Sequence, residues 1–256
     1  MFEAQNPEKT YMYCVIRSSE PREFTTLGIG ERGDIVHIVH FEDLAAVVSD
    51  SPDAKYEQTR RNMMAHTQVL EEVMQDFTIL PIRFGTVAPS EGVIRDKVLT
   101  RRFDELHGLL QQMEGQIELG LKAFWYEEII FREAVNENPK IRELRDRLEG
   151  HRPEETYYER IRLGELVEKA MRDKRTEDSE RILSCLSPLV RQVRTNTILT
   201  DRMILNAAFL MEASRQAEFD AAIQSLDDAM SERIVFKYVG PVPPYNFVNV
   251  MVSWND

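Results

Sequence analysis

From Glu127 to Arg194 nearly half of the residues are charged, the two signs are interleaved, and glycine and proline are sparse. Apolar residues thin there to single stripes such as Ile182, Leu186, Leu189 and Val193. A narrow apolar stripe on an otherwise charged segment predicts amphipathic helices washed by solvent, two or three of them, with Gly150 to Pro153 turning between them. The rest of the chain has to fold around this segment. The expected organisation is therefore an N-terminal α+β domain over 1–126 and a C-terminal α+β domain over 127–256, the second carrying the charged helical segment at about 127–194.

The chain of 256 residues is long enough for each of two domains to bury a core. Its formal net charge of -12 repels phosphate backbones, and no arginine-aromatic patch overrules that, so nucleic acid is not an expected partner. The longest apolar run, Met203 to Met211, is interrupted by Asn206 and is far shorter than the ~20 residues that span a bilayer, so no lipid membrane is expected either. The opening "MFEAQNPEKTYMY" is acidic and polar, and lacks the basic start and apolar core of a signal peptide. Cys14 and Cys185 lie far apart, each in an apolar segment, and read as two reduced core thiols of a cytoplasmic protein.

Before residue 126, strand-like and helix-like segments alternate. "TYMYCVIRS" (Thr10 to Ser18), "DIVHIVHF" (Asp34 to Phe41) and "LAAVVSD" (Leu44 to Asp50) have strand composition. Helical spacing of Met63, Leu70, Val73 and Phe77 predicts a first helix between Tyr56 and Phe77, and Leu99, Phe103, Leu106, Leu110 and Met113 a second. "ILPIRFGTV" lies between them as a strand, and "IELGLKAFWY" follows as another. Strands and helices mixed at this spacing suggest a small sheet with two helices on one face, ferredoxin-like in character. After the charged segment, "MILNAAFLM" is apolar throughout, "FDAAIQSLDDAM" carries a helical stripe at Phe219, Ile223, Leu226 and Met230, and "RIVFKYVGP" reads as a strand.

Gly28, Gly30 and Gly33 satisfy G-x-G-x-x-G, but a dinucleotide site needs the third glycine to open a helix whose N-terminus faces the pyrophosphate. Here "DIVHIVHF" follows, so the segment reads as a turn between two strands. His37 and His40 are three apart in a strand and point to opposite faces. No H-E-x-x-H, paired-cysteine or G-x-S-x-G motif is present, and no metal site, cofactor site or catalytic residue is expected.

Two residues break the apolar pattern. His66 interrupts the stripe of the first helix, as a hydrogen-bonded core histidine or a ligand contact would. Arg83 sits among Ile79, Leu80, Ile82, Phe84 and Val87, where a guanidinium needs a carboxylate or carbonyl partner. It reads as a structural anchor paired with a carboxylate, the alternative being contact with a ligand or partner. At the C-terminal end, "GPVPPYNFV" cannot be a central strand, because its prolines remove three donors. It reads as a rigid, extended piece presenting Tyr245 and Phe247.

Taken in order, Tyr11-Met12-Tyr13 (Y-x-Y), the helix bearing His66, Leu80 to Thr86 (L-P-x-R-F-G-T), Gly115, Glu118 and Lys122 (G-x-x-E-x-x-x-K), Asn206-Ala207, and Gly240 to Tyr245 (G-P-x-P-P-Y) make the chain resemble the gas vesicle protein F/L family. Val242 stands where many members carry tryptophan. The charged segment from Glu127 to Arg194 carries little of the resemblance. It implies two α+β domains with ferredoxin-like character and an accessory or minor structural protein of gas vesicles, within the cytoplasm and associated with the vesicle shell. It also implies no enzymatic activity and no cofactor. The implied partners are the small, very hydrophobic major shell protein and other gas vesicle accessory proteins. On that reading the chain binds the shell protein and supports vesicle nucleation and assembly, through an exposed sheet edge or an aromatic patch. His66, Arg83, Pro243, Pro244, Tyr245 and Phe247 are the candidate partner-binding or structural-anchor residues. The alternative is a small-molecule-binding or enzymatic α+β protein with a pocket near Arg83 and His66, which requires those two beside one cavity and Arg83 without an internal carboxylate.

Overall fold

The structure is a computed structural model and describes residues 8–52, 55–152 and 154–254. The opening residues 1–7 and the Pro153 end of the expected turn lie outside them. The chain forms two compact units, Met1–Glu118 with Pro241–Asp256, and Leu119–Gly240. The break therefore falls at 118/119 where the composition suggested 126, and the last segment belongs with the first unit.

The first unit opens with four strands, β1 (Lys9–Arg17), β2 (Glu23–Phe24), β3 (Val36–Phe41) and β4 (Leu44–Ser51). Helix α1 (Arg60–Met74) follows, then the short strands β5 (Leu80–Pro81) and β6 (Val87–Ala88). Next come α2 (Glu91–Ile94), a π-helical turn over Arg95–Thr100, and α3 (Phe103–Met113). The sheet order is β2-β3-β4-β1-β5, with β6 also on β1, and the described pairings are antiparallel. Four strands precede the first helix, so this unit does not have the β-α-β-β-α-β order of a ferredoxin-like domain.

Strand β1 is buried along Thr10 to Ile16 on both faces, as its aromatic and β-branched content allows. A register shift between Met12 and Cys14 makes Tyr13 an extra residue, so Tyr11, Tyr13, Cys14 and Ile16 all join one apolar cluster. Val69, Leu70 and Val73 of α1 pack into the same cluster. The helix starts where the Thr59 side chain accepts from Asn62 N–H, four residues later than the spacing alone suggested, which leaves Tyr56 in the preceding loop. Met63, expected in the stripe, is exposed, and the buried face runs through His66, Val69, Leu70 and Val73. Residues 28–33 lie in the loop between β2 and β3, with Gly30 and Gly33 at positive φ, and a strand follows them as expected.

The second unit holds most of β7 (Gln116–Trp125), then α4 (Glu127–Glu137), α5 (Pro139–Leu148) and α6 (Tyr157–Leu186). Strands β8 (Gln192–Thr195) and β9 (Met203–Glu212), helix α7 (Gln216–Met230) and β10 (Ile234–Val242) complete it. Its sheet order is β10-β7-β9-β8. The charged segment thus forms three helices. Asn138 caps α5 by accepting from the Lys140 and Ile141 N–H groups, with Pro139 at the first helical position. The thirty-residue α6 buries only Asp178, Ile182 and Leu186, a stripe of three residues at four-residue spacing near its C-terminal end. Cys185 lies off that stripe and is exposed, so only Cys14 is the core thiol expected of both. Helix α7 buries Phe219, Ile223, Leu226 and Met230 as the spacing predicted.

Candidate functional site

Three segments of the first unit meet around His66. Strand β1 supplies Tyr11 and Tyr13, α1 supplies the imidazole, and the C-terminal segment supplies Tyr245. His66 is 1% exposed, and both ring nitrogens are engaged: Nδ1 lies 3.0 Å from Tyr11 Oη and Nε2 lies 2.7 Å from Tyr245 Oη. The ring stacks on Tyr13 at 5.5 Å and meets Phe84 edge-on at 5.6 Å.

Proton directions follow from counting donors. Tyr11 Oη already accepts from Gly85 N–H at 2.9 Å, and its own buried hydrogen has His66 Nδ1 as its acceptor. Nδ1 is therefore unprotonated, Nε2 carries the proton, and Nε2–H donates to Tyr245 Oη. The chain of donation runs from the Gly85 backbone through Tyr11 and His66 to Tyr245, whose own hydrogen is left for the cavity side. Burial pushes the His66 pKa down to about 4, so the ring is neutral at pH 7. Burial likewise pushes the Tyr13 hydroxyl up to about 12, against the Ser49 and Ile29 hydrogen bonds at 3.0 and 2.8 Å.

The proline-rich segment is extended only over residues 240–242, the end of β10, and turns from Pro243 onward. Tyr245 N–H donates to Pro243 O at 2.7 Å, and the Phe247 and Val248 N–H groups donate to Pro244 O at 3.1 and 2.9 Å. Two prolines with φ fixed near the helical value open a tight turn as readily as an extended piece, because their carbonyls still accept. Pro243 and Pro244 are buried under this turn, Phe247 is half-buried, and Tyr245 keeps 43% of its surface exposed. Buried Glu118 clamps the turn, accepting from Asn246 N–H at 3.0 Å and Asn246 Nδ2–H at 2.6 Å. Burial raises the Glu118 pKa, and these two bonds oppose the rise. Further along, Val250 bridges Ile82, Arg102 donates to Met251 O at 2.6 Å, and Lys97 donates to Trp254 O at 2.7 Å.

The reading of Arg83 is corrected. "ILPIRFGTV" enters the sheet only at Leu80–Pro81 and Val87–Ala88; between them the chain turns through Gly85 at φ +82°, held by Thr86 Oγ1 donating to Arg83 O at 2.7 Å. The turn carries Arg83 out of the sheet, so its side chain is exposed and, among the described residues, has no carboxylate partner. With His66 and Tyr245 it lines a cavity of about 340 Å³, whose apolar walls come from Met63, Pro81, Phe84, Val248 and Val250 and whose lining also includes Thr67 and Asn249. His66, Arg83 and Tyr245 are thus brought together, Pro243 and Pro244 support the turn, and Phe247 does not line the cavity.

Tyr11, Tyr13 and Glu118 were visible in the sequence only as parts of recurring motifs; their donor balance appears once β1, α1 and the C-terminal turn are adjacent. His37 Nε2 instead contacts Glu91 at 2.8 Å. Among the described residues, no group of three or more histidine, cysteine or acidic side chains is placed to hold a metal ion, and no helix is long and apolar enough to cross a membrane. The second unit has its own polar cluster: Asp178 accepts from Trp125 Nε1–H at 2.8 Å and from Arg233 at 3.2 Å, and Arg233 also donates to Glu133 at 2.7 Å. Its paired charges tie α4 and α6 together, a packing role.

The family model for gas vesicle synthesis protein GvpL/GvpF matches residues 9–249. Gas vesicle protein F of Streptomyces sp. (strain CB03234) is 33% identical over 242 residues, covering 93% of this chain and 99% of that one. Gas vesicle protein F of Dolichospermum flosaquae is 25% identical, covering 94% and 97%. The crystal structure of gas vesicle protein GvpF from Anabaena sp. PCC7120 superposes with a TM-score of 0.83 at 25% identity, covering 96% of this chain and all of that chain. GvpF from Microcystis aeruginosa gives 0.78 at 26% identity, covering 94% and 99%. The chain belongs to the gas vesicle synthesis protein GvpL/GvpF family.

Proposed function

We propose that this protein is a gas vesicle accessory factor that engages the hydrophobic major shell protein, and that it supports vesicle nucleation and assembly at the vesicle within the cytoplasm. A subunit with one strongly apolar face aggregates unless that face is covered, so an assembling wall calls for an escort. The observation that carries the reading is the exposed apolar rim of the His66 cavity. Met63, which lines the cavity with Tyr245, is 40% exposed, and its neighbour in α1, Met64, is 50% exposed. Thioethers adapt to varied apolar partners, and a rim set on a hydrogen-bonded floor loses little freedom on docking. Strand addition to the first sheet is less favoured, because its edge strands β2 and β5 are two residues each.

The test is co-expression with the major shell protein, followed by affinity purification in moderate salt. The expected result is co-purification that is lost in the Met63→Glu/Met64→Glu double variant. Equal recovery with and without the two glutamates refutes this surface. No recovery of the folded wild-type chain with the shell protein refutes the partner, and another accessory protein takes its place. Washed vesicles then separate a retained wall component from a transient escort. The alternative of a small-molecule-binding or enzymatic protein retains one observation in its favour, an Arg83 that has no carboxylate partner among the described residues and lies beside the same cavity as His66.

A further inference from the structure

We infer that the cavity beside Arg83 binds a carboxylate carried on a short apolar body. Four features of the lining converge on that chemistry. Among the described residues, Arg83 is its one formally charged residue and no aspartate or glutamate lines it, in a chain with 44 acidic residues against 32 basic ones. Arg17, Arg22, Arg32, Arg61 and Arg102 of the same unit each pair with a carboxylate. Among the described residues Arg60 and Arg95 have no such partner, but neither lines the cavity. A guanidinium left free in so acidic a chain, at the mouth of a cavity, offers a planar pair of donors to a planar anion.

The second donor comes from the hydrogen-bond relay. Because His66 Nε2–H is committed to Tyr245 Oη, the Tyr245 hydroxyl hydrogen is the free end of the chain, and Tyr245 lines the cavity. Together, Arg83 and Tyr245 match the two oxygens of a planar monocarboxylate. Thr67 and Asn249 add two polar side chains to the lining, and the remaining walls are the apolar faces of Met63, Pro81, Phe84, Val248 and Val250, which suit a short hydrocarbon body. The volume of about 340 Å³ lies at the small end of the range for ligand pockets, room for a short acid or one acidic side chain with its neighbours.

The inference rests on the proposed functional face only for its location. The carboxylate has two possible sources, a free small acid or an acidic side chain of a polypeptide, and the test separates them. The full chain is titrated with hexanoate and with its neutral counterpart hexanamide, by calorimetry and by the NMR signal of the Arg83 guanidinium. Hexanoate is expected to bind at least tenfold more tightly than hexanamide. Arg83→Gln, an exposed loop substitution whose melting curve checks the fold, should abolish that preference, and Tyr245→Phe should reduce it severalfold. Equal binding of acid and amide, or an Arg83→Gln chain that still prefers the acid, overturns the proposal. Acetyl-Leu-Glu-Leu-amide is then compared with its glutamine counterpart. A glutamate peptide that outbinds hexanoate assigns the site to a polypeptide carboxylate, and one that does not assigns it to a small acid. Lost acid preference with shell-protein co-purification intact defeats the carboxylate site alone. Normal hexanoate binding with no co-purification defeats the shell contact alone.

Discussion

Protonation of His66 should cost this fold a measurable amount of stability at mildly acidic pH. Folded, the imidazole is held to about 4 by burial, against an ordinary value of 6.5, so the unfolded chain binds its proton first. The contribution is fully present above pH 6.5, is lost as pH falls, and reaches its limit near pH 4. A 2.5-unit difference at 1.36 kcal/mol per unit gives about 3 kcal/mol at the acid limit, of which about 2 kcal/mol is lost between pH 7 and pH 5. That window stays above the range where most carboxylates titrate. Glu118, with its raised pKa, works in the opposite direction but is common to protein and variant. The assay is urea unfolding at pH 7 and pH 5, read by hydrogen exchange at β1 and α1, for the wild type and for His66→Gln, which keeps one donor and one acceptor. The wild type should lose about 2 kcal/mol more than the variant. Equal losses, or an NMR titration of His66 near 6.5, would refute the burial argument.

Three further substitutions probe the remaining contacts. Asp178→Ala leaves the Trp125 indole N–H and part of the Arg233 fork without an acceptor, and should lower the urea-melt stability of the second unit by about 2–3 kcal/mol; a loss below about 0.5 kcal/mol would show that water replaces the carboxylate. Tyr13→Phe strands the buried Ile29 N–H and should cost about 1–2 kcal/mol in the first unit, measured in the same way. Glu118→Ala should speed hydrogen exchange of the Asn246 amide at least tenfold with little change in β3 and β4, whereas uniform acceleration across the unit would mean general unfolding.

Elements that depend on local pattern were legible in the sequence. The stripe from Phe219 to Met230 gave α7, and the aromatic run Thr10 to Ser18 gave β1, because both signals are periodic within one element. Arg83 was misplaced because apolar neighbours outweighed the punctuation of Pro81 and Gly85, which turn the chain out of the sheet. Cys185 was misplaced because composition cannot say which side of a long helix is covered. His66 was visible as a break in an apolar stripe, but its two hydroxyl partners lie 55 positions before it and 179 after it. No local rule connects residues that far apart, so the relay was not legible. The C-terminal return to the first unit was hidden for the same reason, and its prolines suggested extension where a turn forms.

The first unit is discontinuous in the chain, interrupted by Leu119–Gly240. Closing so large a loop carries an entropic cost that rises only slowly with length, so the return of Tyr245 to His66 is thermodynamically cheap but kinetically late. On the ribosome, Tyr11 and His66 are in place more than a hundred residues before Tyr245 is made. Until Tyr245 returns, His66 Nε2 lacks the hydroxyl partner it has in the folded chain, and the cavity lacks the Tyr245, Val248 and Val250 part of its lining. The site is therefore complete only once the C-terminal turn has returned to β1 and α1.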